Sequence, residues 1–165
     1  MNKKCILAIL AVSCIALAGC PGDNSPPPAK KTPPSSSRNA APRGGGGTAL
    51  FRLPDGSGRT VTVKTPAALF FLTSWCGYCK TAMPEVKRLT EVARTKGWWV
   101  YGIDVNEGPA EANAIVSQFQ PNFPILLDQQ GMIARQYGVT GYPTFVLIDQ
   151  SGNVIYNSHS VPRGF

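Results

Sequence analysis

The sequence predicts an α/β fold in which one central sheet is covered on both faces. Three observations carry this expectation. Ala68-Leu-Phe-Phe-Leu-Thr is a continuous apolar run, the pattern of a strand buried on both sides. Other short strand-like runs alternate with stretches whose apolar residues recur at helical spacing. The chain has 165 residues, 43% hydrophobic and 15% charged, which suits one core of ordinary size and excludes both a wholly disordered chain and a coiled coil.

Each element follows in order. The folded domain is expected over residues 49–165. Thr60-Val-Thr-Val alternates as a short strand, and the buried strand from Ala68 comes next. It leads into Ser74-Trp75-Cys76-Gly77-Tyr78-Cys79 and then a helical pattern with Met83, Val86, Leu89 and Val92 on one side. Pro84 lies inside that helix and is expected to kink it. Trp98 to Ile103 reads as a second buried strand. Pro109 suits the first turn of a helix carrying Ala112, Ile115, Val116 and Phe119. Phe123-Pro-Ile-Leu-Leu is a short strand, and Met132 to Tyr137 a short helix ended by Gly138. Thr144-Phe-Val-Leu-Ile is a strand, and Gln150-Ser-Gly-Asn turns it into a last one at Val154-Ile-Tyr.

The first 48 residues read differently. Met1-Asn-Lys-Lys is a basic segment before an apolar run from Cys5 to Ala18. Fourteen residues make about 21 Å of helix, short of a bilayer's ~30 Å core, so this is signal-peptide length. Leu17-Ala18-Gly19-Cys20 resembles a bacterial lipoprotein box, which implies cleavage after residue 19 and lipid on Cys20; an ordinary cleaved signal is the alternative. Several acyl chains would anchor the protein stably. Residues 21–48 hold seven prolines, a serine run and Gly44 to Gly47, with almost no large apolar side chains, so 20–48 reads as a lipidated Cys and a disordered tether. The glycine run lacks the Lys-Ser/Thr of a phosphate loop and no strand precedes it.

Net charge is +7, but residues 49–165 carry ten basic and eight acidic side chains, only +2. The basic balance belongs to the N-terminal end, and no nucleic-acid partner is expected.

There are five cysteines. Cys5 and Cys14 fall in the signal and Cys20 is assigned to lipid, which leaves Cys76 and Cys79 in an exported, oxidising setting. Cys-x-x-Cys between a buried strand and a helix is a redox arrangement. The first thiol sits at the helix N-terminus, where free N–H groups and the dipole favour a thiolate. The second lies one turn on, in reach of a mixed disulfide. Cys76 is therefore the attacking nucleophile and Cys79 the resolving thiol. A zinc site would need about four ligands, and only these two thiols and the distant His159 are offered. A purely structural disulfide over so small a loop would stabilise little.

Ser74-Trp-Cys-Gly-Tyr-Cys-Lys, with Pro84 eight residues after the first Cys, resembles thioredoxin, as does Gly138-Val-Thr-Gly-Tyr-Pro-Thr before a strand and an Asp-x-x-Gly turn. The resemblance implies a thioredoxin-like fold with a mixed sheet, helices on both faces, a cis Pro143 packed against the sulfurs, and substrate backbone pairing at Tyr142. It also implies that Trp75 touches substrate. The segment Asp104 to Leu127, with Phe51-Arg-Leu-Pro-Asp-Gly and Phe123-Pro-Ile-Leu-Leu-Asp, is similar to the TlpA/ResA-like thiol–disulfide oxidoreductases. These are membrane-tethered proteins that reduce disulfides outside the cytoplasm, including on apocytochrome c.

Three departures bear on mechanism. The buried Asp that thioredoxins carry six residues before the first Cys is Phe70 here, and the Glu that many cytochrome-maturation reductases carry six residues after it is Ala82. No acceptor for the proton of Cys79 is therefore assigned. Glu85 reads as a surface charge, Lys80 as an exposed helix cation, and His159 as an exposed side chain; Asp104, Glu107 and Glu111 cluster near a loop without making a metal site. The family's C-terminal helix is not found after Tyr156, so one face of the sheet is expected to be less covered. The resulting expectation is a lipid-anchored envelope protein that reduces protein disulfides and takes electrons from a membrane donor, with no cofactor. Oxidase or isomerase chemistry at the same cysteines, or a binding module that has kept the fold, are the alternatives.

Overall fold

The computed structural model describes residues 47–165. The expected signal at 1–19, the lipidated Cys20 and all but the last two residues of the tether lie outside the described residues. A two-stranded antiparallel hairpin comes first, β1 (Ala49–Pro54) and β2 (Thr60–Lys64). Then follow β3 (Ala67–Leu72), α1 (Gly77–Thr95), β4 (Trp99–Val105), α2 (Pro109–Phe119), β5 (Ile125–Asp128), α3 (Met132–Gln136), β6 (Thr144–Ile148) and β7 (Val154–Ser158).

The five-stranded sheet has the order β5-β4-β3-β6-β7. Helical crossovers α1 and α2 make β4 parallel to β3 and β5 parallel to β4. Beyond α3 the chain returns as β6, antiparallel to β3, and turns into β7. All six residues of β3 are buried, as its unbroken apolar run requires of a central strand. One face packs Phe70, Leu72, Ile125, Leu127 and Phe145 beneath α1 and α2. On the other, Leu69, Phe71, Ile103 and Val146 lie beneath α3 and the hairpin side chains Phe51, Leu53, Val61 and Val63.

Sequence periodicity located α1 and the first half of its buried face, Met83 and Val86, but not the second; the buried residues are Cys79, Met83, Val86, Thr90 and Ala93. Val92 is exposed and Leu89 only half-buried. Thr90 can take the inward position because its hydroxyl donates to the Val86 carbonyl at 2.8 Å and so is not left bare in the core. Val116 of α2 likewise points outward. Pro84 sits on the exposed side of α1.

Strand β1 was not expected. Its residues alternate poorly, and only pairing with β2 and packing onto the sheet make it a strand. The Asp55 carboxylate secures the turn. It accepts from the Ser57 and Arg59 backbone at 2.9 and 3.0 Å and from Arg59 Nε at 3.0 Å. A single bridge from Asp55 to Leu126 joins this turn to β5. At α3, the Asp128 carboxylate accepts from the backbone N–H groups of Met132 and Ala134. Gly131 before them has φ 63°, with an Asn106 oxygen 2.8 Å from where a Cβ would stand.

No helix follows β7 among the described residues. The expected thin coverage is nevertheless corrected by the tail. Val161 packs on the α1/α2 cluster, and the Phe165 ring lies 5.1 Å from that of Trp98. Phe70 is the hub of that cluster, stacked on Phe145 at 4.9 Å and edge-on to Phe123 at 6.4 Å. Phe70→Ala should therefore lower stability by ~3–5 kcal/mol, measured by urea unfolding.

Candidate active site

The site forms at the end of the sheet where β3 stops. Thr73 to Trp75 form a short loop, and Cys76 is the N-cap of α1, with φ −72° and ψ 105°. Its Sγ accepts a hydrogen bond from the Cys79 N–H at 3.0 Å. The two cysteines are disulfide-bonded, with Cα atoms 5.3 Å apart. Cys79 is buried and Cys76 is 5% exposed. The first turn of α1 holds no acidic side chain, so nothing on the helix opposes negative charge at Cys76 when the bond opens.

Antiparallel β6 brings the second segment of the motif to the same place. Phe71 pairs with Thr144, so the preceding Tyr142–Pro143 peptide, which is cis, lies beside the loop that leads to Cys76. The Trp75 and Tyr142 rings meet edge-on with centroids 6.1 Å apart. Trp75 and Tyr78 are 69% and 81% exposed. Two aromatic rings therefore flank a nearly buried disulfide on an open surface.

His159 was expected to be a free surface side chain. The residue is exposed, but its Nδ1 lies 2.7 Å from the Pro143 carbonyl and 3.1 Å from Thr144 Oγ1. A carbonyl can only accept, so the proton sits on Nδ1 and is donated to Pro143. The Thr144 hydroxyl in turn donates to the Gly141 carbonyl at 2.7 Å. Together they hold the cis-proline loop from its outer side. A lone His near the chain end gave no sequence signal for this, because β7 must first pair with β6 to carry it there.

The three acidic residues in and after the end of β4 separate into different roles. Glu111 turns back to accept from the Gly108 N–H at 3.1 Å, which starts α2. Glu107 accepts from the Ser74 N–H at 2.6 Å and the Ser74 hydroxyl at 2.7 Å, two residues before Cys76. Burial pushes its pKa up, but hydrogen bonds from Asp104 and from the Ser74 side chain and backbone outweigh this and hold it below the usual range. Asp104 is fully buried. Burial first, then the hydrogen bond to Glu107 and the charges of Glu107 and Glu111, push its carboxyl from 3.8 to about 9. No donor faces either of its oxygens, so the neutral acid, donating to Glu107, is the form the fold accommodates.

Among the described residues, no three His, Cys, Asp or Glu side chains are arranged to hold a metal ion. No helix there is long and apolar enough to cross a membrane. Ala82 is half-buried against the core, and Glu85 and Lys80 are exposed.

Two predictions follow from these contacts. The folded protein keeps a proton on Asp104 up to about pH 9, whereas the unfolded chain releases it near 3.8. Between those values the folded state binds more protons, so stability should fall as pH rises. Asp104→Asn should remove that slope and be the more stable protein at mildly alkaline pH, as read by urea unfolding across the range. His159→Ala should leave the fold intact yet weaken the cis-proline loop by ~1 kcal/mol, seen as faster amide exchange at Gly141 and Tyr142.

Residues 46–157 match the AhpC/TSA family. Over 87 residues the chain is 34% identical to the thiol-disulfide oxidoreductase ResA of Bacillus thuringiensis subsp. konkukian, covering 53% of this chain and 50% of that one. The chain thus spans about half the length of the curated relatives it matches. Among solved structures, a candidate thiol:disulfide interchange protein DsbE from Chlorobium tepidum is 31% identical, with TM-score 0.60 over 67% of this chain and 82% of that one. A secreted disulfide oxidoreductase of Mycobacterium tuberculosis shares the fold at 24% identity, with TM-score 0.59 over 69% and 85% of the two chains. The fold is thioredoxin-like, and the chain belongs to the AhpC/TSA family.

Proposed function

We propose that this chain is a thiol–disulfide oxidoreductase that reduces protein disulfides outside the cytoplasm. The observation that carries the reading is the Cys76–Cys79 disulfide at the start of α1, beside the cis Tyr142–Pro143 peptide. The naming of ResA and DsbE relatives for this chemistry supports it. In the reduced state the Cys76 thiolate attacks a substrate disulfide, one substrate sulfur leaves, and a mixed disulfide forms. The Cys79 thiolate then attacks Cys76 Sγ, the second substrate sulfur leaves, and the Cys76–Cys79 bond closes. Trp75, Tyr142 and Pro143 receive the substrate segment. A dithiol donor at the membrane returns the pair to the reduced state.

Direction follows from charge. A strongly oxidising pair needs its thiolate stabilised. Here Gly77-Tyr78 adds no cation, and the Glu107 carboxylate is bonded to Ser74, two residues from Cys76. Neither supplies positive charge that would further stabilise an anionic Cys76, which supports the reductant direction. The lipoprotein-like Leu17-Ala18-Gly19-Cys20 supports a lipid tether at Cys20 and a place in the bacterial envelope. The TlpA/ResA-like pattern supports cytochrome c maturation as the setting.

Cys79→Ala should accumulate covalent substrate adducts through Cys76 on non-reducing gels, and Cys76→Ala should accumulate none. The reduction potential, set against dithiothreitol buffers, should lie near or below ~−270 mV; a value of about −120 to −180 mV would assign the chain to oxidants or isomerases. Cys20→Ala should release the protein from the membrane fraction.

A further inference from the structure

Among the described residues, three buried polar atoms at the end of β3 and β4 accept no hydrogen bond: Thr73 Oγ1 and both carboxyl oxygens of Asp104. They lie beneath the cysteines. Asp104 pairs in register with Leu72 on one side and Leu127 on the other. Side chains in register on neighbouring strands share a face, and Leu72 and Leu127 belong to the cluster that contains Cys76, Cys79 and Met83. Asp104 is thus on the α1/α2 face of the sheet, under the start of α1. On the same face of the sheet, a small cleft of about 10 Å³ is lined by Leu72, Thr73, Ser74 and Cys79 among others. That is room for one water, with Cys79 and the unpartnered Thr73 hydroxyl on its walls.

We propose that Asp104 is the proton carrier for the resolving thiol Cys79, across the sheet face that its register with Leu72 and Leu127 shares with the cysteine cluster. This rests on the thiol–disulfide exchange reading and supplies the proton partner that Phe70 and Ala82 leave unfilled. When a dithiol donor's thiolate attacks Cys76 Sγ, the Cys76–Cys79 bond breaks and Cys79 leaves as a thiolate. Asp104 gives it a proton and becomes a carboxylate. When a mixed disulfide is resolved, the carboxylate takes the Cys79 proton back, the Cys79 thiolate attacks Cys76 Sγ, and the substrate thiolate departs. In each transfer one proton passes between the two groups, and exchange with solvent returns Asp104 to its neutral form once the step is over.

The surroundings suit this exchange. Glu107 faces Asp104 from the loop after β4 and Glu111 from α2, both raising its proton affinity. Tyr142 faces it from the cis-proline loop, while Cys79 of α1 and, from an exposed position, Lys80 line the cleft. Neither of the ion pairs among the described residues involves Asp104. A buried carboxyl that holds its proton on the face it shares with Cys79 is placed to give that proton up and take it back.

The test uses the reduced full chain and an aromatic disulfide, 5,5′-dithiobis(2-nitrobenzoate). The first thionitrobenzoate released reports Cys76 attack, and the second reports closure by Cys79. Asp104→Asn should leave the first phase unchanged and slow the second on the order of 100-fold. Glu85→Gln should match the unaltered protein in both. A second phase within ~3-fold of normal in a folded Asp104→Asn protein overturns the assignment. If the unaltered protein releases no second equivalent, the exchange reading and this assignment fall together. Infrared difference spectra of the unaltered protein give a second measurement that needs no variant. At neutral pH the protonated-carboxyl band should shift on reduction as a thiol band appears, and an unchanged carboxyl band overturns the proposal.

Discussion

The registry of strands on β3 is the constraint from which the rest of the site follows. Phe71 opposite Thr144 and Leu72 opposite Asp104 bring three chain segments, far apart in sequence, to the end of one buried strand. The first pairing is antiparallel, so the start of β6 meets the end of β3, and the cis Tyr142–Pro143 peptide arrives beside the cysteines. The second is parallel, so the end of β4 arrives there too. A slip of one residue in either pairing would turn these side chains to the opposite face and dismantle the site. The uniform burial of β3 and the stacking of Phe70 on Phe145 make such a slip costly.

Charge at this end of the sheet is unusual. The strand position where a thioredoxin-like chain is expected to carry a buried carboxylate holds Phe70, committed to aromatic packing. A buried carboxyl is present all the same, one strand over, at Asp104. Its neighbour Glu107 stays ionised because Ser74 supplies two donors, and this fixes which member of the acidic pair keeps the proton. The same two bonds fasten the loop before Cys76. Electrostatics and backbone positioning at the disulfide are therefore one arrangement rather than two.

Around this centre the outer parts serve as supports. His159 restrains the proline loop, and the β1–β2 hairpin covers the sheet face opposite the main helices. The tail from Val161 to Phe165 lies against the α1 side. Trp75 and Tyr78 remain exposed because they occupy the loop and first turn above the buried sulfurs, where no other helix or strand of the described residues covers them.

The amino-acid sequence by itself determined the elements with strong local signals. The apolar run of β3, the Cys-x-x-Cys at a helix start, the Pro109 entry to α2 and the Gly138 stop after α3 depend on neighbours within a few residues. So did the identity of the two cysteines and of Pro143. What only the tertiary structure decided depends on partners distant in the chain. Strand β1 exists because β2 pairs with it, and Thr90 rather than Val92 faces inward because the sheet sets the rotation of α1. In sequence, Asp104 reads as the first polar residue of a loop. It becomes a neutral, buried acid only once β3, β5 and α1 close over it and remove the water that would keep it ionised.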